Sequence, residues 1–427
     1  MKKTLLFPLF AVFCGQAFAI EPAFTLKDND TWVMAGDSIT AQRLHSDYIE
    51  AFYRTRYPQW HFHFRNSGVS GNTAGNLVGR FDYDVAAWKP TIVSVELGMN
   101  DVGGPLEGYV AGMKKLSDNI RAINAEPVFI SSSPVNDGSL MDAWTSDRCR
   151  LLNPFTEALK ELGQKESVPV IDQYHPLIKL WGPNRTLDDA GTLAARIRLM
   201  KPESNIPGLP VLQAFAKAWE GKPAGIPLGG NDVHPGPVGQ YTMAATILMA
   251  LNADCEVSSA TLKPDGTVVA AKSCKITDVV SKGGTLSFTR LDERSPWPLL
   301  PEAARALQLM PGIADLSHYI LTIAGLPAGQ YRVAMDSKPV ATLSDQELAK
   351  GWNMSTVVEG PMGQRATNIL GLINQLQTPL NDAWRKASKE KTPEKLALAQ
   401  KDIEECEAKV QEACQPAPIR FTVEPLR

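Results

Sequence analysis

The residue best placed for chemistry is a serine. Met34-Ala35-Gly36-Asp37-Ser38-Ile39-Thr40 sets Ser38 directly after an apolar run that reads as a strand and before a stretch that reads as a helix. A hydroxyl in that position stands at the carboxyl edge of a sheet, where open α/β folds bind ligands, above a helix N-terminus that stabilises negative charge. Those conditions suit a nucleophile; the plainer alternative is a helix N-cap. Among the other chemically capable residues, His61 and His63 alternate on one strand face, a spacing open to a metal, yet the intervening Phe62 and Phe64 fit an ordinary strand with a wetter side. His45 and His318 read as structural. His175 follows the fourth apolar run, at the functional edge of the sheet, and is a candidate substrate contact. Trp144, Tyr174, Trp181 and Trp219 fall in or beside the loops expected above that edge. They either stack on sugar rings or close a local core.

The elements that must position Ser38 follow from the hydrophobic pattern. Trp32-Val33-Met34-Ala35, Ile92 to Leu97, Val128 to Ser131 and Val168 to Ile171 are short apolar runs separated by helical stretches such as Ala41 to Tyr57 and Tyr109 to Asn124. That alternation predicts an α/β domain with a parallel sheet. Trp181 to Lys222 reads as an inserted helical segment, and Pro237 opens an apolar helix running to Leu251. After Asn252 the period becomes two, which predicts a small antiparallel β unit. Residues from about 363 to 414 are rich in Lys, Glu, Ala and Leu and predict a helical hairpin, turning at Thr378-Pro379 or at Lys391-Thr392-Pro393. Ile419 to Val423 then returns as a last strand. Asp137-Gly138-Ser139-Leu140 reads as a turn.

With 43 basic against 46 acidic residues in 427, a net charge of -3 offers no footprint for nucleic acid or for an anionic membrane surface. Residues 1–19 read as a cleavable export signal: Lys2 and Lys3, an apolar run from Leu5 to Phe13, and Ala17-Phe18-Ala19 before Ile20. The expected location is therefore secreted or periplasmic, without a membrane anchor. Bulky Phe13 before Cys14 disfavours lipidation. Of the remaining cysteines, Cys255 and Cys274 lie symmetrically about the turn signal Pro264-Asp265-Gly266, so a hairpin there predicts a disulfide between them. No cysteine spacing resembles C-x-x-C. Neither a metal nor another cofactor is expected.

Four blocks in order carry a resemblance. Gly36-Asp37-Ser38-Ile39, Asn66 to Thr73, Glu96-Leu97-Gly98-Met99-Asn100-Asp101 and Asn231-Asp232-Val233-His234-Pro235 resemble the four blocks of the SGNH hydrolase superfamily, the GDSL esterases. The resemblance implies a three-layer, flavodoxin-like hydrolase domain over residues 20–251, followed by an accessory β unit with a helical hairpin over 252–427. It also implies the roles: Ser38 as nucleophile, His234 as general base and then acid, and an oxyanion hole made by the backbone N–H groups of Ser38 and Gly71 with the Asn100 amide. One departure stands out. The family's acid, three residues before the histidine, is Asn231 here. Either Asp232 orients the imidazole, which is the expectation because a carboxylate best stabilises imidazolium, or a Ser-His dyad works with Asn231 or a backbone carbonyl. The implied activity is hydrolysis of short acyl esters, acetyl foremost, on a carbohydrate. The rival readings are a lipase or thioesterase of the same superfamily, or a non-catalytic carbohydrate-binding envelope protein. A small-molecule or glycan ester is the expected partner, and the oligomeric state stays open.

Overall fold

A computed structural model describes residues 23–136, 147–200, 207–222 and 224–426. The export segment with Cys14, the Asp137–Leu140 turn, Trp144 and the Cys149 side chain lie outside the described residues. Among those described, no helix is long and apolar enough to cross a membrane.

Strands β1 (Thr31–Gly36), β2 (His63–Gly68), β3 (Ile92–Leu97), β4 (Glu126–Ser131) and β5 (Val170–Ile171) form a parallel sheet in the order β2-β1-β3-β4-β5. This is the flavodoxin-like winding, whose switch point lies between β1 and β3. Why the first of these strands is an apolar run is visible in its two faces. Trp32 and Met34 enter the core on one face, Val33 and Ala35 the core on the other, so no residue of the run faces water. The helices are α1 (Ser38–Ala41), α2 (Leu44–Arg56), α3 (Ala74–Asp84), α4 (Leu106–Ala122), α5 (Asp147–Glu166), α6 (Tyr174–Arg198), α7 (Leu209–Ala218) and α8 (Pro237–Ala250). Side chains of α2, α6 and α8 cover one face and those of α3, α4 and α5 the other.

The second half is built from β6 (Glu256–Leu262), β7 (Val268–Lys272), β8 (Cys274–Lys282), β9 (Thr285–Asp292), the short α9 (Ala306–Leu309), β10 (His318–Ile323), β11 (Gln330–Met335), β12 (Lys338–Ser344), α10 (Asp345–Lys350) and β13 (Trp352–Asn353). It closes with α11 (Gly360–Gln375), α12 (Asn381–Glu390), α13 (Pro393–Cys414) and β14 (Ile419–Pro425). Two sheets, β13-β10-β6-β7 and β12-β11-β14-β9-β8, share one apolar core and so form a sandwich. The pairing is antiparallel except between β6 and β10, which run parallel. The last strand inserts between β11 and β9. Residues 360–414 are thus a helical excursion from within the sandwich.

One expectation is corrected here. The predicted disulfide is absent: Cys255 and Cys274 are both free thiols. A symmetric hairpin would set Ser259 opposite residue 270, but the turn closes Lys263 on Thr267 and a bulge between Thr261 and Leu262 adds a further residue, which together set it opposite Lys272. Ser273, with φ 53°, then turns the chain so that Cys274 begins β8 and pairs with Asp292. Of the two turns that the sequence offers for the helical hairpin, the structure takes the second. A π-helical segment, Leu376–Leu380, carries the chain past the proline, and the reversal falls at Lys391, whose φ is 53°.

Candidate active site

Strand β1 delivers the chain to Asp37, whose side chain caps α1 by accepting the Ile39 N–H at 2.9 Å. Because Asp37 is the cap, Ser38 is the first helical residue and its hydroxyl is left for other work. Ser38 Oγ lies 2.7 Å from His234 Nε2, a residue 196 positions further along the chain.

The loop that presents His234 is closed by pairing of Gly230 with Pro235 and by a bond from the Asn231 N–H to the His234 carbonyl, 2.9 Å. Only glycine fits at 230: φ is 70°, and a Cβ there would stand 2.0 Å from the His234 oxygen. Asn231 Oδ1 accepts the backbone N–H groups of Val233 at 3.0 Å and His234 at 2.8 Å, and lies 3.2 Å from His234 Nδ1. Two backbone donors dictate that the amide oxygen, not the NH₂, faces inward. Nδ1 must then carry the proton it donates to Asn231, which leaves the Nε2 lone pair to accept from Ser38.

Asp232, the expected orienting acid, is turned elsewhere. Its carboxylate is 3.7 Å from Arg185, its side chain is 53% exposed, and its carbonyl accepts the Asn136 N–H at 2.7 Å. The reason is local. Once Asn231 folds its side chain back onto the two following N–H groups, the next side chain is directed out of the turn.

The expected oxyanion residues converge on the same edge. Gly71 has φ 76°, and no described atom lies within 4 Å of where its Cβ would stand, so its backbone faces open space. Its neighbour Asn72 is pinned from three sides: its N–H reaches the Val69 carbonyl, Arg80 Nε donates to its side chain at 2.7 Å, and Asn100 Nδ2 donates to its carbonyl at 3.0 Å. Asp101 accepts the Ala74 N–H at 2.9 Å and so fastens the start of α3 to the Asn100 loop. Asn100 Nδ2 also lies 3.4 Å from Asp37 Oδ2, which is the weaker of its two bonds and the one an oxyanion would displace.

Residues 34–241 match the model of the GDSL-like Lipase/Acylhydrolase family. This part of the chain resembles that family. A stretch of 55 residues is 40% identical to an acetylxylan esterase of Geobacillus stearothermophilus, covering 13% of this chain and 25% of that relative's length. A solved gut microbial diltiazem-metabolizing enzyme superposes over 95% of this chain and 99% of its own, with TM-score 0.72 at 18% identity. The sandwich and helical excursion therefore belong to the shared fold. The acetylxylan esterase structure of G. stearothermophilus aligns over 53% of this chain and 96% of its own, with TM-score 0.38 and 17% identity.

Beneath Ser38 the GDSL-like domain holds a buried polar layer. His45 Nδ1 meets Gln240 Oε1 at 2.6 Å and its Nε2 meets Glu96 at 3.2 Å, while Gln173 donates to the other Glu96 oxygen at 2.7 Å. Burial alone would depress the His45 pKa; Glu96 beside it, with help from Gln240 and Asp37, leaves it above the ordinary value. Burial pushes Asp37 up to about 7, with Glu96 and Asp101 adding to the rise and the Ile39 bond opposing it.

Other residues singled out from sequence fall outside this constellation. Tyr174 and Trp181 are buried in the main core on one face of the parallel sheet, Trp181 bonding Thr242 of α8 at 3.2 Å, whereas Trp219 packs on Phe215 in the inserted helices' own small core. His175 opens α6 and bonds Asp172 at 2.6 Å, with Glu157 at 3.4 Å. His63 bonds Glu407, whereas His61 lies near Asp28 at the surface. Sequence reasoning passed over Arg80, Asp101 and Asp37. The last two stood in the motif blocks themselves, each beside a residue that was chosen.

Proposed function

We propose that this chain is an exported serine ester hydrolase that removes short acyl groups, acetyl foremost, from a carbohydrate. The observation that carries the chemistry is the 2.7 Å contact between Ser38 Oγ and His234 Nε2. The family description supports ester hydrolysis, and a relative named acetylxylan esterase supports the acyl group and the glycan. Export rests on the leader-like residues 1–19.

Each step then has an owner. Ser38 Oγ bonds to the ester carbonyl carbon as its proton passes to Nε2, and the carbonyl electron pair moves to oxygen. That oxyanion is met by the N–H groups of Ser38 and Gly71 and by Asn100 Nδ2. Asn231 holds the imidazolium through Nδ1 while the C–O bond breaks and the alcohol oxygen takes the proton from Nε2. Water repeats the attack on the acyl-Ser38 with His234 as base, releasing the carboxylic acid and restoring the hydroxyl. Ester and water give acid and alcohol.

A fluorophosphonate probe is expected to label the protein and to lose its site in Ser38→Ala; an unlabelled wild type would favour a binding protein without an activated serine. Acetate release from acetylated glycans, run beside p-nitrophenyl esters of rising chain length, tests the substrate. Preference for long chains with no acetate released would sink the carbohydrate reading in favour of a lipase or thioesterase.

A further inference from the structure

The sandwich brings together three side chains that no local spacing announces. Cys255, Glu256 and His318 each offer a ligand atom, and these atoms all lie within 4.8 Å of one another. Two consecutive residues of a regular strand point to opposite faces. Here Cys255 stands just before the first residue of β6, and a register shift falls between His318 and Tyr319 in the parallel β6–β10 pair, so both Cys255 and Glu256 approach the imidazole. The His318 N–H donates to the Cys255 carbonyl at 2.8 Å, which fixes the backbone under the cluster. Glu256 divides its oxygens: Oε1 is 2.9 Å from His318 Nδ1, while Oε2 accepts from Lys272 Nζ at 3.0 Å.

We propose that Cys255, Glu256 Oε1 and His318 Nδ1 form a binding site for a divalent, thiophilic metal ion, zinc foremost. A thiolate, a carboxylate and a neutral imidazole carry a charge of about -2, which balances the ion, and the sulfur selects against magnesium and calcium. Tetrahedral zinc with these donors needs ligand atoms roughly 3.3–3.8 Å apart, so side-chain rotation that opens the 2.9 Å Glu256–His318 pair slightly and brings the thiol in by up to about 1 Å completes the shell, with water as the fourth ligand. Lys272 need not leave, because it holds the oxygen that the ion does not use and so orients the carboxylate. On binding, the Cys255 thiol gives its proton to solvent, and His318 Nδ1 gives up the proton it donates to Glu256, so that the neutral ring holds its single proton on Nε2. The metal would tie the segment that leaves α8 to the start of β10. It is a staple within the accessory sandwich, separate from Ser38 and His234.

The reduced full-length protein is titrated with cobalt(II), then with zinc(II). One equivalent of cobalt(II) is expected to raise a sulfur-to-cobalt charge-transfer band with tetrahedral d–d absorption, and zinc(II) is expected to abolish both and raise the Tm. Cys255→Ser should lose the charge-transfer band and bind zinc about 100-fold more weakly, and His318→Ala should weaken zinc comparably. Cys274→Ser should change neither, because that thiol donates to the Ser259 carbonyl at 3.4 Å instead. Circular dichroism of each variant checks folding. Absence of stoichiometric binding in the wild type, or equal affinity in folded Cys255→Ser, overturns the site.

Discussion

Asn231 shows how a single side chain can orient a histidine without charge. Its oxygen accepts three N–H groups, two from backbone and one from His234 Nδ1, which sets the tautomer but adds only a dipole to the imidazolium. A carboxylate there would accept the same three donors and contribute its charge. Replacing a neutral by a charged hydrogen bond gains about 1–2 kcal/mol, so Asn231→Asp is expected to raise kcat/KM about tenfold. The same charge favours protonated His234, which moves the acid limb of the pH–rate profile to higher pH. Steady-state hydrolysis of p-nitrophenyl acetate from pH 5 to 9 checks both; an unchanged or lower kcat/KM at pH 8 would mean that the ring needs only orientation. Ser38, Gly71, Asn100 and His234 were legible because each stands in a contiguous block whose letters survive. Which of Asn231 and Asp232 meets the ring was not legible, because that depends on where a turn directs consecutive side chains, and the amide's own bonds to the turn decide it.

The element least expected at the site's foundation is the π-helical segment with α12. Strand β2 is an edge of the parallel sheet, and its outward N–H and C=O groups need partners. Gln377, Asn381 and Arg385, four residues apart and so on one helix face, supply them. Gln377 accepts the Asn66 N–H at 3.1 Å and donates to the Phe64 carbonyl at 2.8 Å, while Asn381 and Arg385 both donate to the Asn66 carbonyl. Gln377 also donates to Glu50 in α2 at 2.7 Å. Asn66 in turn donates to the Thr40 carbonyl at 2.8 Å, directly behind Ser38. Gln377→Met keeps the volume and strips these bonds from buried groups, and is expected to cost about 3 kcal/mol, read as a shift in urea midpoint. A loss below about 1 kcal/mol would show that the edge is satisfied without the helix. The composition of this stretch predicts a helical hairpin and nothing of what it packs against. The four-residue spacing was there to read, but its target, an edge strand some 310 residues earlier, was not. The strands themselves were easier, since burial on both sheet faces leaves continuous apolar runs.

At the scale of the whole molecule, the accessory half is fastened to the GDSL-like half as one body. Trp297 stacks on Tyr241 of α8 at 4.2 Å and donates to the Tyr48 carbonyl at 2.8 Å, and Trp384 of α12 stacks on Trp88. The electrostatic centre of the joint is Glu407 of α13, which meets Arg65 at 2.7 Å, His63 at 3.0 Å and Arg54 at 3.7 Å. Burial would raise its pKa, but Arg65, the His63 bond and Arg54 outweigh burial and hold it at about 2, against an ordinary 4.5. The sign follows from linkage: a carboxyl with a depressed folded pKa contributes fully above its unfolded value and loses that contribution as pH falls from about 4.5 towards 2. Glu407→Gln leaves Arg54 and Arg65 buried without their shared anion, so it is expected to cost about 3 kcal/mol at pH 7. At pH 3 the wild-type carboxyl is losing its advantage, and the gap should narrow. Urea unfolding of both proteins at pH 7, 5, 4 and 3 measures the difference directly. A gap independent of pH would assign the joint to packing of α13 rather than to the charge on Glu407.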